Sequence, residues 1–404
     1  MLMLDGFRNR SLRRLWFGQV GSAVGDELFK IAFIWLAVQV MGSDTGYIAS
    51  LQLAVGLGVG LFFGKLGDRL RPDHTLIAVD LMRAFLVLIP VGFFLSGLNS
   101  YPILVGVTVL MATLGTYFEP ALLSSLPILA RDPRLLRAGN GLMATTYRIA
   151  RVFGPLIVSV LSGFIPIHHF FTLDALTFLF SAASIHSLRA EYRRAYQEPA
   201  SANARMGVFA ALREVRKHPD VYRALLVKTL GSGPWGVVYG IGLALLAREI
   251  EPYGLGAFGW IMASYGVGNI SSALIFGNVH RRHPEPWVYI GFGFIGVSFV
   301  LISLSPTLPL ICFFAALCAV GGPMNDTPFL ELMQERFSHR TMTPIVRLRM
   351  IADSLCTLVF TLASPLLFKT FGVRGAIGVL GAFSALLALA AIPTWNSQRG
   401  GISK

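Results

Sequence analysis

The chain has 404 residues, of which 54% are hydrophobic and only 14% are charged, and its mean hydropathy is +0.64. Soluble domains carry about a quarter charged residues, so this composition excludes a soluble protein. Apolar runs long enough to cross a hydrocarbon core of about 30 Å recur along the whole chain. The sequence therefore predicts an all-α protein that crosses a membrane many times.

We predict twelve membrane-spanning helices, six on each side of one long polar interruption. Short turns rich in Pro, Gly, Asn and Asp separate the spans. The predicted domains are an N-terminal six-helix bundle at 1–188, a cytoplasmic linker at 189–220 and a C-terminal six-helix bundle at 221–404. The predicted spans are 14–40, 46–64, 75–96, 102–130, 138–164, 168–187, 221–248, 255–279, 286–305, 308–335, 344–369 and 373–394.

The formal net charge of +13 follows the predicted topology. Lys and Arg crowd the two termini and the even-numbered loops, which include the linker, whereas the odd-numbered loops hold Arg248, Lys369 and Arg374. Cytoplasmic segments of membrane proteins carry such a basic excess, so we expect both termini and the linker in the cytoplasm. The basic residues would then face anionic membrane lipid, and we expect no nucleic-acid partner.

The first span carries Asp26, Glu27 and Lys30 in an otherwise apolar run. At 1.5 Å per residue, Asp26 lies close to the middle of the membrane. Lys30 is one helical turn further on the same face, so one interpretation is a local ion pair. The interpretation that we prefer is a contact between Asp26 and a basic residue of the fifth span, Arg148 or Arg151.

The second span places glycines at intervals of four, at Gly56, Gly60 and Gly64, and so predicts a close helix contact. The two halves of the chain also repeat weakly. In the second and eighth spans "GLFFGKLGDR" matches "ALIFGNVHRR", and "YFEP" in the fourth span matches "MNDTP" in the tenth. Two six-helix repeats around a site near the membrane midplane are the organisation of secondary transporters.

The loop that follows the second span, "GKLGDRLRPD", resembles the signature loop of the Major Facilitator Superfamily in Gly64, Gly67, Asp68 and Arg69. Its continuation departs from the glycine and basic residues of the family pattern. The resemblance implies a cytoplasmic gate in which Asp68 lies against the start of the eleventh helix. "AVDLMRA", "RVFGPL" and "FTLDALTFLFSA" are similar to the branch that contains enterobactin exporters and macrolide-efflux proteins.

Ionisable residues recur at mid-membrane depth in other spans. Each costs about 3 kcal/mol at the bilayer centre, so we expect most of them to face one another or a wet cavity. Because acids outnumber bases among them, we expect protons to be carried by Asp26, Glu119 and Asp353. The candidate residues for proton coupling and the substrate cavity are Asp26, Lys30, Glu119, Arg148, Arg151, Asp326 and Asp353.

These features favour a secondary active transporter that exports an amphipathic small molecule in exchange for protons, by alternating access. A siderophore or similar metabolite is the preferred substrate, because two central arginines suit an anionic group. A multidrug or macrolide efflux pump and a lipid or metal-related transporter are the alternatives. We expect a monomer in the bacterial cytoplasmic (inner) membrane.

Proteins of a different class, an intramembrane enzyme or a receptor that transports nothing, are not favoured. The sequence holds no HExxH, GxSxG or P-loop motif. Its three cysteines, Cys312, Cys318 and Cys356, form no metal-binding pattern. We therefore expect neither a cofactor nor a metal.

Overall fold

The structure, a computed structural model, describes residues 6–62, 71–97, 101–130, 132–195, 207–250, 254–276, 283–337 and 339–402. These residues are helical almost throughout, which confirms the all-α prediction. In chain order the helices are α1 (Arg10–Met41), α2 (Thr45–Phe62), α3 (Pro72–Leu95), α4 (Tyr101–Leu129), α5 (Pro133–Leu161), α6 (His168–His186), α7 (Arg189–Ala195), α8 (Val208–Arg216), α9 (Pro219–Glu249), α10 (Gly254–Phe276), α11 (Glu285–Leu304), α12 (Leu308–Arg336) and α13 (His339–Ile402). The short helices α7 and α8 lie within the predicted linker.

Six helices in these described ranges are long and apolar enough to cross a membrane. They are Pro72–Leu95, Pro102–Leu129, Pro219–Glu249, Glu285–Leu304, Leu308–Arg336 and Pro344–Ile392. The protein is therefore a multi-pass helical membrane protein. The number of twelve spans and the cytoplasmic position of the termini stay predictions.

Prolines set the first turns of several helices. Pro72 and Pro219 each begin a helix after a residue with extended backbone. Pro133 begins α5, where the carboxylate of Asp132 accepts a 2.9 Å hydrogen bond from the backbone N–H of Arg134. Proline fits a first helical turn because its missing N–H has no partner there.

Two helices are interrupted. In α9 the segment Val238–Gly242 forms a π-helical turn. The ring of Tyr239, in this turn, stacks on that of Trp235, with 5.0 Å between the ring centres. In α13 the helical backbone breaks at Gly372, whose φ is +68°. Glycine adopts this left-handed conformation without the steric cost of a Cβ, and the break coincides with the predicted turn between 369 and 373.

By its internal contacts the chain divides into two units. The first unit comprises Met1–Leu36 and Leu51–Ala200, and the second comprises Ala37–Ser50 and Ser201–Lys404. The predicted domain boundaries at 188 and 220 stay predictions.

In the first unit, α3 packs against α6 and α1 also contacts α6. The fully buried rings of Phe170, Phe171 and Phe178 lie on α6. Polar groups add directional contacts between helices: Nε2 of Gln19 donates to Oγ of Ser181 at 3.0 Å. These contacts fix the rotation of α1 about its own axis.

In the second unit, small residues bring backbones together. A Cβ at Gly268 would overlap the backbone of Ala316, which places α10 directly on α12. A Cβ at Gly296 would meet the backbone of Gly381, so α11 and α13 are equally close. Such contacts are typical of membrane helices, where dispersion and not the hydrophobic effect drives association.

The turn at 42–44 belongs to the second unit. Nζ of Lys369 lies 2.6 Å from Oδ1 of Asp44, and Nη1 of Arg248 donates to the backbone oxygen of Val38 at 2.9 Å. Two of the three basic residues that the sequence places in odd-numbered loops thus bind the turn or the end of α1 that precedes it.

Candidate functional site

The first unit holds a cavity of about 330 Å³ between α1, α3, α4 and α5. Its polar lining consists of Gln19, Ser22, Asp26, Arg83, Thr116, Glu119, Thr146 and Tyr147. Its apolar wall includes Phe118, Leu122 and Met143. The cavity therefore brings together Asp26 and Glu119, two predicted site residues that are far apart in the sequence.

Asp26 lines this cavity because its two neighbours in α1 pack against other helices. A Cβ at Gly25 would overlap the carboxylate of Asp174, so α1 touches α6 at this glycine. A Cβ at Gly154 would overlap the side chain of Glu27, so α1 is also close to α5. With both flanking positions occupied in this way, Asp26 is half-buried at the cavity.

The basic residues predicted beside Asp26 are not part of the cavity lining among the described residues. Lys30 forms an ion pair with Glu27, with 3.5 Å between Nζ and Oε2. Arg148 and Arg151 are exposed on α5, and neither is part of the cavity lining among the described residues. Among the described residues Asp26 shares its cavity with neither arginine, and the preferred contact between Asp26 and Arg148 or Arg151 stays a prediction.

The cation of the cavity is Arg83, which sequence reasoning did not include in the site. Its side chain is buried, with Cζ 4.8 Å from the ring centre of Phe118 and 5.6 Å from that of Phe178. Because α3 begins at Pro72, Arg83 lies about 16 Å along the helix and not near its end. The available signal was the spacing of Asp80 and Arg83, one helical turn apart in an apolar helix.

Two further carboxyl groups of the first unit are fully buried. Neither oxygen of Asp80 has a hydrogen-bond partner in the described part of the chain. Oδ1 of Asp174 accepts a hydrogen bond of 3.3 Å from Thr177, whereas its Oδ2 is unpartnered there as well. Buried polar groups left in this state are costly and are few in native proteins.

In the second unit, the predicted site residue Asp326 pairs with Lys228 of α9. Nζ of Lys228 donates to Oδ1 of Asp326 and, at 2.8 Å, to Oδ1 of Asn325. The rings of Phe292 and Phe329 lie 5.7 and 5.8 Å from this ammonium group. The side chain of Lys228 is 8% exposed and that of Asp326 is 61% exposed, so a buried cation faces an open anion.

Asp353 of α13 contacts the same stretch of α9. Oγ1 of Thr229 donates to Oδ1 of Asp353 at 3.1 Å, and Oγ of Ser232 donates to the backbone oxygen of Asp353 at 3.2 Å. Since Thr229 follows Lys228, this stretch of α9 brings together two predicted acids from α12 and α13.

The predicted gate residues Gly64, Gly67, Asp68 and Arg69 lie outside the described residues. The end of the same loop is described. There Nη2 of Arg71 lies 3.1 Å from Oδ2 of the buried Asp73. Arg71 and Asp73 belong to the continuation of the loop that departs from the family pattern, and they are thus paired with each other.

The sequence pattern of the Major Facilitator Superfamily matches residues 15–341, which is most of the chain. The chain belongs to the Major Facilitator Superfamily. This membership makes it a transporter of a small-molecule substrate and not an enzyme. The superfamily inferred from the loop sequence is confirmed, whereas the exporter branch stays a prediction.

A relative of this transporter is the "Uncharacterized MFS-type transporter YkuC" of Bacillus subtilis (strain 168). The two are 24% identical over 338 residues, which cover 80% of this chain and 77% of the relative.

Solved structures share the fold. The POT family transporter PepTSo superimposes with a TM-score of 0.76 at 11% identity, over 97% of this chain and 98% of that one. A mutant of the peptide transporter POT gives a TM-score of 0.77 at 12% identity, over 96% of this chain and 95% of that one. At such identities the likeness shows the MFS fold alone.

Proposed function

We propose that this MFS transporter exports an amphipathic small molecule in exchange for protons, by alternating access. The observation that carries the proposal is the buried ammonium group of Lys228, whose charge is compensated by the open carboxylate of Asp326. A buried charge of this kind depends on its partner. Protonation of Asp326 would remove that compensation, so proton binding is linked to a rearrangement around Lys228.

The first unit supports the same mechanism. Its cavity is lined by two acids, Asp26 and Glu119, and by one basic residue, Arg83. One acid therefore has no base of its own in this lining. Such a carboxyl group can take up and release a proton while the other compensates the arginine.

The remaining features of the proposal follow from the sequence. We place the transporter in the bacterial inner membrane as a monomer with twelve spans, cytoplasmic termini and a gate formed by the loop that contains Asp68. A siderophore or similar metabolite is the preferred substrate, because two central arginines suit an anionic group. Arg148 and Arg151, exposed on α5, stay candidates for contact with this substrate.

Proton coupling can be tested with the purified transporter in proteoliposomes that contain a pH-sensitive dye. A catecholate siderophore and a macrolide are added side by side under an imposed pH gradient. We expect the siderophore to drive a proton flux that an uncoupler removes, and we expect Asp326→Asn and Asp353→Asn to abolish this flux.

The matched control is Asp220→Asn, which removes an aspartate that is hydrogen-bonded to Arg336 at 2.8 Å, away from Lys228. This variant should retain the flux. Full uncoupler-sensitive flux in Asp326→Asn would refute the proposed coupling.

A further inference from the structure

We propose that the cavity of the first unit binds a small zwitterion, with its anionic group on Arg83 and its ammonium group on the carboxylates of Asp26 and Glu119. The inference rests on the proposed function in one respect, because it takes this ligand to be the transported substrate. Binding itself depends only on the cavity and can be measured without transport.

Arg83 supplies the anion-binding side. Only 7% of the residue is exposed, yet its Nε has no hydrogen-bond partner among the described residues. The rings of Phe118 and Phe178 hold the guanidinium group in place through cation–π contacts. A positioned guanidinium that lines a cavity is suited to a carboxylate or a similar planar anion.

Asp26 and Glu119 supply the cation-binding side. Both line the same cavity, yet within the described part of the chain neither forms an ion pair with Arg83. Opposite charges interact strongly in a medium of low dielectric constant. A ligand that carries both charges can satisfy Arg83 and a carboxylate of the same lining together.

The cavity limits the size of this ligand. Its volume of about 330 Å³ equals that of about eleven water molecules, at about 30 Å³ each in the liquid, and lies in the range of small-molecule sites. Leu122, Met143 and the ring of Phe118 provide an apolar wall for an aliphatic or aromatic group. An amino acid with an apolar side chain matches both the volume and this wall.

Ligands with a single charge match the lining less well. A purely anionic ligand would bind Arg83 beside two carboxylates that repel it, and a purely cationic ligand would be repelled by Arg83. A zwitterion compensates Arg83 and one acid, and it leaves the second acid to carry the proton that the proposed function requires.

Three probes with one phenyl skeleton test this inference: L-phenylalanine, 3-phenylpropionate and 2-phenylethylamine. Their equilibrium binding to the purified full chain in detergent is measured by calorimetry at neutral pH. We expect L-phenylalanine to bind roughly tenfold or more tightly than either singly charged probe, since each lost charged hydrogen bond weakens binding by about that factor. Equal or tighter binding of a singly charged probe, or no binding of L-phenylalanine, would overturn the inference.

Variants locate the site. Glu119 is exposed, so Glu119→Gln should fold, should bind L-phenylalanine roughly tenfold to a hundredfold more weakly and should bind 3-phenylpropionate no more weakly. Arg83→Lys should weaken the binding of both. Glu191→Gln, in α7 and outside the lining, should change neither. Unchanged binding of L-phenylalanine in Glu119→Gln would exclude this cavity even if Arg83→Lys failed to fold.

The two proposals can fail separately. Binding of L-phenylalanine, together with no proton flux when L-phenylalanine itself is added to the proteoliposomes, would leave the zwitterion site standing and would refute coupling. Proton flux with a siderophore, together with no binding of L-phenylalanine, would support proton coupling and would refute the zwitterion site.

Discussion

The ion pair between Lys228 and Asp326 has two unequal partners. Replacing Asp326 by Asn leaves a buried ammonium group with only neutral acceptors, so we expect the free energy of unfolding to fall by about 1–3 kcal/mol. Replacing Lys228 by Met removes the buried charge and leaves a carboxylate that is 61% exposed, so we expect a change below about 1 kcal/mol. Thermal unfolding of the two purified variants in detergent measures the difference.

Equal destabilisation by Asp326→Asn and Lys228→Met would contradict this asymmetry. It would mean that Asp326 is as dependent on the pair as Lys228, which its exposure argues against. The double variant provides the coupling energy between the two side chains.

Counting residues along each span located the acids of the candidate site but not its cations. Asp26 and Glu119 line one cavity, whereas the cation beside them is Arg83 and not Arg148 or Arg151. Depth in the membrane follows from position in the chain. The direction in which a side chain points follows from the rotation of its helix, which depends on contacts such as that of Gly25 and is absent from a residue count.

At the level of helices, Gly25 sets the distance between α1 and α6. We expect Gly25→Ala to lower the free energy of unfolding by about 1–3 kcal/mol, because the added methyl group would overlap Asp174 and Thr177. Gly60→Ala is the matched control, since a Cβ there meets no atom within 4 Å in the described part of the chain. It should be neutral or slightly stabilising, as alanine favours a helix over glycine by up to about 1 kcal/mol.

Thermal unfolding of both variants, alongside the unmodified transporter, checks this prediction. If Gly25→Ala lowered the unfolding temperature no more than Gly60→Ala, α1 and α6 would be able to move apart at Gly25 without a loss of stability. The readout is independent of substrate and of proton coupling.

The glycine pattern of the second span shows why helix contacts are hard to infer from sequence. Gly56 and Gly60 share a face, as predicted, but a Cβ at either meets no atom of the described residues within 4 Å. The close contacts lie instead at Gly25, Gly154 and Gly268. Small residues permit close approach, but the partner helix determines whether it happens.

Of the two helix interruptions, one could be predicted from the sequence and the other could not. The break at Gly372 could be predicted, since it falls in the gap between two apolar runs. The π-helical turn Val238–Gly242 could not, because the apolar pattern runs through it without a change. The extra residue of such a turn alters the register of the helix, a feature that hydropathy alone does not record.

At the level of the whole molecule, the predicted orientation can be tested by cysteine labelling. Phe209 in α8 is 87% exposed, and Phe164, between α5 and α6, is 81% exposed. With the three native cysteines replaced, a membrane-impermeant maleimide should label Phe164→Cys in intact cells and Phe209→Cys only in inverted vesicles. This expectation follows from the positive-inside rule, because the linker that contains α8 is rich in basic residues.

Labelling of Phe209→Cys in intact cells would reverse the orientation. Labelling of both positions from one side would place both on the same side of the membrane, with an even number of spans between them. Either result would also change the side from which the proposed substrate enters.

The superfamily could be recognised from one loop and from the alternation of spans and turns, whereas the substrate could not. A fold of this kind serves many substrates. Here the side chains that line the cavity come from four helices spread over residues 19–147. No contiguous sequence motif contains these residues. Arg83 and Asp26 come together only when the helices pack.

Three consecutive residues of α1 have three different surroundings: Gly25 touches α6, Asp26 lines the cavity and Glu27 lies against α5. A helix turns by about 100° per residue, so deleting or inserting one residue just upstream would move every one of these side chains to the wrong neighbour. Point substitutions nearby can be absorbed one at a time, but a change of length cannot. We therefore expect functional relatives to show no insertion or deletion in this stretch, even where its amino acids vary.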